Sequence, residues 1–335
     1  MRTPSIDSSV FIKNRERFIK NLPPKSIAIF NSNDLMPKNA DQVMRFKQNS
    51  DLFHLCGINQ EETILIIITG NTLQEKEEIL FIKETNDIIK VWEGNKFSKE
   101  DAKKIAGVKV VFWNTDFEKT IDNIMQKCKV VYLNSNEHPR ANIVVESRDA
   151  RFKKWIKKRY PNHAYKKAAN ILYPIRAVKQ PAEVALIQRA CDITRGGVKR
   201  VLKCLKPGVY EYELEAEIIH EFLLNKSTGF AYDPIIASGS NACILHYATN
   251  NDICNDGDVV LMDFGAEYAN YASDLTRCFP VNGKFTTRQK DVYNSVLRVM
   301  VGAKKLLKPG VFLSEYEKNV GTLMEKELVD LGLLS

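Results

Sequence analysis

The chain has 335 residues, 44% of them hydrophobic and 27% charged, with a formal net charge of +8. That composition suits an ordinary soluble globular protein with room for two domains, and no run of about 18 apolar residues offers a membrane span. Seven cysteines (Cys56, Cys128, Cys191, Cys204, Cys243, Cys254 and Cys278) are scattered without a CxxC pair, which excludes a disulfide framework or zinc knuckle and leaves them as small buried or half-buried hydrophobes.

The start, MRTPSIDSSVFIKNRERFIKNL, lacks the apolar core of a secretory signal, which predicts a cytoplasmic location. Beyond it, Ile27 to Phe30, Thr63 to Ile68, Glu77 to Ile82, Val108 to Trp113 and Lys129 to Asn134 are short, β-branched, apolar runs bounded by polar and turn residues. They predict strands. ADQVMRF (Ala40 to Phe46) and EKTIDNIMQKC (Glu118 to Cys128) between them predict helices. The result is a mixed α/β domain around a largely buried sheet. Arg45 and the stretch Asp51 to His54 read as surface residues.

Much of the positive excess sits in RDARFKKWIKKRYPNHAYKK, Arg148 to Lys167. No nucleic-acid motif accompanies it, so it reads as the solvated face of a surface helix, with no nucleic-acid partner. A boundary falls at Tyr173-Pro174 and divides the chain into domains 1–173 and 174–335. Past it, Val184, Ile187, Cys191, Val198, Val201 and Leu205 recur at helical spacing in a helix that begins at Pro181 and ends at Lys206-Pro207-Gly208.

Leu205-Lys206-Pro207-Gly208-Val209 recurs as Leu307-Lys308-Pro309-Gly310-Val311, 102 residues on, and each copy lies between two amphipathic helices. A repeated supersecondary unit is the expectation. The first copy is followed by strands, whereas only 25 residues follow Gly310, so the chain is expected to be truncated within its second domain.

The densest chemical signal is GDVVLMDFGAEYANYASDLTRCFPVNG, Gly257 to Gly283. VVLMDFG predicts a strand delivering Asp263, and YASDLTRCF a second delivering Asp274. With the turn centred between Tyr268 and Ala269, the two aspartates face each other directly, Cβ atoms about 5 Å apart. Two carboxylates that close repel unless one is protonated or a cation lies between them. A strand-mounted pair of hard oxygen donors suits divalent ions, including the paired ions of hydrolytic sites. In ASGSNACILHYATNN (Ala237 to Asn251), Gly239 predicts a turn and CILHY a short strand carrying His246, whose imidazole could shuttle protons. His54, His138, His163 and His220 have no comparable setting. GxGxxG, GxxxxGK[ST], HExxH and GxSxG are absent.

RFKQNSDLFHLCGI (Arg45 to Ile58), IRAVKQPAEVALIQRA (Ile175 to Ala190), KPGVYEYELEAEI (Lys206 to Ile218), IIASGSNACILHY (Ile235 to Tyr247) and LMDFGAEYANYASDLTRCFPVNGKFT (Leu261 to Thr286) resemble aminopeptidase P, the Xaa-Pro aminopeptidase of the pita-bread metallopeptidases. The resemblance implies a creatinase-type N-terminal α/β domain followed by a partial pita-bread α+β catalytic domain. It implies two divalent ions, usually Mn2+, held in part by Asp263 and Asp274, with His246 stabilising substrate and Tyr232 presenting an aromatic ring to the substrate pocket. The implied substrate is a peptide with proline in second position, and the implied assembly is a dimer or tetramer. The family's metal-binding histidine and two glutamates have no counterparts after Gly310, and Glu325 and Glu327 lie on a predicted helix. The chain as it stands is therefore expected to hold metal weakly or not at all and to be inactive. A prolidase acting on Xaa-Pro dipeptides, or a non-catalytic pita-bread module that binds peptides, are the alternatives.

Overall fold

The computed structural model covers residues 5–72, 74–138 and 144–335. The chain divides into two compact units, one formed by Met1–Arg189 with Tyr268–Tyr271, the other by Ala190–Glu267 with Ala272–Ser335. Its elements run α1 (Ser8–Ile19), β1 (Ser26–Asn31), β2 (Pro37–Asn39), β3 (Gln42–Val43), α2 (Ser50–Cys56), β4 (Ile64–Thr69), β5 (Lys76–Ile82), α3 (Asp87–Glu93), α4 (Lys99–Ala106), β6 (Val110–Trp113), α5 (Phe117–Met125), β7 (Val130–Leu133), α6 (Arg148–Arg159), β8 (Ala164–Lys167) and α7 (Ala169–Ala177). Then follow α8 (Pro181–Cys204), α9 (Glu211–Leu224), β9 (Gly229–Phe230), β10 (Ile235–Ser238), β11 (Val259–Phe264), β12 (Ala266–Tyr268), β13 (Tyr271–Ala272), β14 (Leu275–Pro280), α10 (Thr287–Leu306) and α11 (Leu313–Asp330).

The first unit is built on a six-stranded sheet in the order β6-β5-β4-β1-β7-β8, parallel at β5/β6, β1/β7 and β7/β8 and antiparallel elsewhere. Strand alternation sorts its side chains onto two covered faces. Ala28, Phe30, Leu65, Ile67, Leu80 and Ile82 pack with residues of α1, α2, α4 and α7. Ile27, Ile29, Ile64, Ile66, Ile79 and Phe81 pack with Phe117, Ile121, Met125 and Ile156 of α5 and α6. All five predicted strands are present. The basic stretch forms α6 and β8, with Arg159 paired to Asp122 at 2.8 Å.

Two local expectations fail in this unit. Ala40 to Phe46 is not helical: β2 and β3 form a small hairpin across it, with Ala40 in the left-handed region at φ 47°. A segment of about seven residues cannot sustain a helix without a tertiary partner. Leu52, Phe53 and His54 are buried, because α2 packs under the sheet and its N-cap Asn49 accepts from the backbone N–H of Asp51 and Leu52. Pro174 lies inside α7, and the two compact units divide at 189/190, within α8.

In the second unit β10, β11 and β14 form an antiparallel sheet, and β13, β12 and β9 a second one. Val260, Met262 and Phe264 of β11 are buried while Val259, Leu261 and Asp263 are only half-buried. Phe264 joins Phe222 of α9, ring centroids 6.0 Å apart, which in turn meets Phe230 at 5.2 Å. Gly197 of α8 allows this approach, since a Cβ there would lie 3.1 Å from the Phe222 ring. Both copies of the repeat form helix, turn, helix: Gly208 and Gly310 take φ of 90° and 89°, a conformation that favours glycine. No helix among the described residues is long and apolar enough to cross a membrane.

Candidate active site

Asp263 sits one residue before the end of β11, on the face turned away from Met262 and Phe264. The ladder to β14 pairs Asp263 with Thr276 and Phe264 with Leu275. The aspartates are therefore not directly opposed, as the turn position had suggested. The turn centre is Ala269-Asn270, both left-handed at φ 53° and 66°, the geometry of a tight two-residue hairpin. Moving the centre by one residue slips the register by two. An even slip keeps side chains on their face, so Asp274 becomes a diagonal neighbour of Asp263 on the same side.

Nor is Tyr271 to Phe279 one strand. Between β13 and β14 it breaks at Ser273 and Asp274. The break is held from within: Ser273 is buried, its hydroxyl lies 2.6 Å from Thr194 Oγ1 of α8, and both hydroxyls accept from the backbone N–H of Ala266, at 3.0 and 2.9 Å. Asp274 follows at once and is exposed.

The two carboxylates converge on one phenol. The Tyr232 hydroxyl donates to Asp263 Oδ1 at 2.6 Å and to Asp274 Oδ1 at 3.0 Å. Partial burial, then the two carboxylates it serves, push this phenol well above the usual tyrosine range. In this structure the Tyr232 oxygen ties the two aspartates together. All three, with Asp233, Ile235, Leu245, His246 and Ala248, line an open cleft of about 440 Å³.

His246 reaches that cleft from a turn, not from a strand. Gly239–Cys243 is a short 3-10 helix, Gly239 takes φ 56°, and Leu245-His246 is an exposed turn. The stretch cannot join the sheet as a strand because β10 already occupies that edge of β11, and the backbone N–H of Ile244 is used within the 3-10 turn by Asn241 O at 3.0 Å. The sequence reading missed Glu211 and Thr194, both buried polar groups bonded to the segments that carry site residues. Neither stands out in the sequence, since each occupies an unremarkable helical position.

Two aspartate oxygens around a single hydroxyl form a compact, hard donor set that suits a divalent ion. Among the described residues no group of three or more His, Cys, Asp or Glu side chains gathers to hold a metal. Asp263 and Asp274 fit as part of a ligand set and not as a whole one.

Residues 11–133 match the family "Aminopeptidase P, N-terminal domain" and residues 185–333 match "Metallopeptidase family M24". Xaa-Pro aminopeptidase of Escherichia coli (strain K12) is 31% identical over 330 residues, 98% of this chain and 75% of that protein. Xaa-Pro aminopeptidase of Haemophilus influenzae is 32% identical over 324 residues, 97% of this chain and 73% of that one. A solved structure of zinc-substituted E. coli aminopeptidase P in complex with product superposes with a TM-score of 0.86 at 31% identity, covering 99% of this chain and 76% of that one. Identity at this level over nearly the whole chain, with the same two-domain fold, is a mark of common descent, and the chain belongs to the aminopeptidase P family of pita-bread metallopeptidases, as a metallo-aminopeptidase.

Proposed function

We propose that the protein is a Xaa-Pro aminopeptidase, releasing the N-terminal residue of peptides with proline in second position, with two divalent ions, most naturally Mn2+, at Asp263 and Asp274. The observation that carries this reading is the convergence of both carboxylates on the Tyr232 hydroxyl. The chemistry supplied by bound divalent ions is Lewis acidity, which makes water a nucleophile near neutral pH and offsets charge developing on the carbonyl oxygen.

This chain's own residues do the rest. Asp263 and Asp274 present oxygens from adjacent positions on one sheet face. Tyr232 holds those oxygens together while they await a cation. His246, across the same cleft, hydrogen-bonds the substrate carbonyl or the tetrahedral intermediate and hands a proton toward the departing proline nitrogen. Two aspartates make an incomplete ligand set, so the described residues alone hold metal weakly. Cytoplasmic residence and assembly as a dimer or tetramer complete the reading.

The test is an assay of the full-length gene product with Mn2+ on an Xaa-Pro-Xaa peptide and on Gly-Pro. Cleavage of the longer peptide, lost in Asp274→Ala, supports the aminopeptidase. Cleavage of the dipeptide alone points to a prolidase. Cleavage of neither, with Asp274→Ala indistinguishable from the parent, refutes the reading.

A further inference from the structure

Glu211, the first residue of α9, is 0% exposed. A carboxylate withdrawn from water needs donors for its oxygens, and four reach this one. Oε1 accepts from the backbone N–H of Ser238 at 2.7 Å and from Asn241 Nδ2 at 3.2 Å. Oε2 accepts from the Tyr247 hydroxyl at 2.6 Å and from the backbone N–H of Asp252 at 3.0 Å. The Glu211 backbone N–H donates in return to Asp252 O at 2.9 Å. The start of a helix also favours negative charge.

These donors are strung along one segment, from the end of β10 to Asp252, and His246 lies within it. On its far side the buried Asn250 donates to Glu215 Oε2 at 2.8 Å and to Pro234 O at 2.9 Å and accepts from the Ile236 N–H at 2.9 Å, but the tip around His246 lies beyond these bonds. It joins no sheet, Leu245 is 90% exposed and His246 is exposed, whereas the next residue, Tyr247, is buried at 8%. Tyr247 is therefore the buried anchor next to the tip, and Glu211 is what it is fastened to. Burial, then the Glu211 carboxylate, push the Tyr247 phenol up to about 12, so it remains a donor at any ordinary pH.

We propose that Glu211 is a positioning residue for the peptidase reaction: its buried carboxylate gathers both ends of the 238–252 segment and so sets the His246 imidazole in the cleft of Asp263 and Asp274. The inference rests on the role given to His246 above. Its chemical basis is acceptor count. Glutamine has the same shape but offers one acceptor oxygen. Its amide would face the Asp252 N–H, which can only donate, so that bond is lost and the hold on this end is weakened, with only the backbone bond from residue 211 to Asp252 O remaining between the two.

The experiment uses the full-length protein loaded with Mn2+ and the variants Glu211→Gln and Tyr247→Phe, each alone and combined with His246→Ala. Each single variant is expected to lower kcat about tenfold with KM changed less than about twofold, since a group acting on the transition state is displaced. On the His246→Ala background neither should cost anything more, because the segment then has no imidazole to place. A purely structural effect would cost the same factor on both backgrounds, and that result overturns the proposal while leaving His246 its role. If His246→Ala keeps the parental rate, the role of His246 fails, and the proposal falls with it. A readout free of activity runs alongside. In metal-free protein, where no paramagnetic Mn2+ broadens them, the His246 imidazole NMR signals, identified by their loss in His246→Ala, should shift or broaden in Glu211→Gln, and amide exchange at Asp252 should accelerate. Unchanged His246 signals in both variants overturn the proposal. Should Glu211→Gln fail to fold, Tyr247→Phe, which removes one oxygen and keeps the ring, carries every arm.

Discussion

Asp263 stands opposite Thr276 across the β11–β14 ladder, two residues beyond Asp274. That offset is possible because Gly265 leaves room where the chain passes closest to its partner. A Cβ built on Gly265 would lie 1.8 Å from the Ser273 carbonyl oxygen and 3.2 Å from the Asp274 nitrogen. Backbone cannot yield there without moving Asp274. Gly265→Ala is therefore expected to cost about 3 kcal/mol and to separate the two carboxylates. Denaturant unfolding checks the first effect. A structure of the variant, read for loss of the shared Tyr232 contact, checks the second.

Metal dependence follows from the ligand set. With two carboxylates and no third ligating side chain gathered beside them among the described residues, the 335-residue chain should show no change in Tm on adding 0.1 mM Mn2+ or EDTA, an order-of-magnitude concentration chosen because stabilisation scales with ligand concentration over Kd. A rise of several degrees that vanishes in Asp263→Ala would show the pair to be sufficient by itself.

Arg15 is the largest fully buried side chain. Its guanidinium donates to Leu55 O and Ala106 O at 2.8 Å and to Gly107 O at 3.2 Å, and its Nε lies 2.9 Å from Glu78 Oε2. It joins α1, α2, α4 and β5 of the first unit. Arg15→Met keeps the volume but strands three carbonyls and a mostly buried carboxylate, a loss of about 3–5 kcal/mol. Chemical denaturation should show it.

A pH dependence is built around Glu183, which is buried in the first unit. Burial raises its pKa, but hydrogen bonds from His54 and from the Gln180 backbone, the His54 charge and the Tyr271 hydroxyl outweigh this and hold it down at about 2. His54 Nδ1 lies 3.2 Å from Glu183 Oε1, Tyr271 donates to the same oxygen at 3.0 Å, and the Gln180 N–H donates to Oε2 at 2.9 Å. A depressed carboxyl contributes stability that is complete above its unfolded value and is lost as pH falls through its folded value. Glu183 should thus contribute stability that is lost as pH falls between roughly 4.5 and 2. Stability against pH should be flatter over that window in Glu183→Gln, and parallel curves for the two proteins would refute the assignment.

Much of this protein could be read before any coordinates. Five buried strands follow from β-branched runs, whose apolar alternation leaves few other ways to bury both faces of a sheet. The paired helix, turn, helix units follow from the LKPGV repeat, since a glycine at φ near 90° ends each first helix in the same way. The placement of Asp263 and Asp274 on one face also survived a turn misjudged by one residue, because β-structure has period two and an even slip changes no face.

Tertiary structure decided the rest. Ala40 to Phe46 forms a hairpin and His246 stands on a turn, because short segments have no preference strong enough to resist what their neighbours leave available. His54 is buried where it meets Asn14 and Glu183, both remote from it in sequence. Glu211 and Thr194 acquire their importance from donors and acceptors that reach them from residues 27 to 79 positions distant. Local patterning specifies elements and faces. Which buried carboxylate or hydroxyl meets which loop is set by packing between remote segments, and a linear sequence carries no direct trace of it.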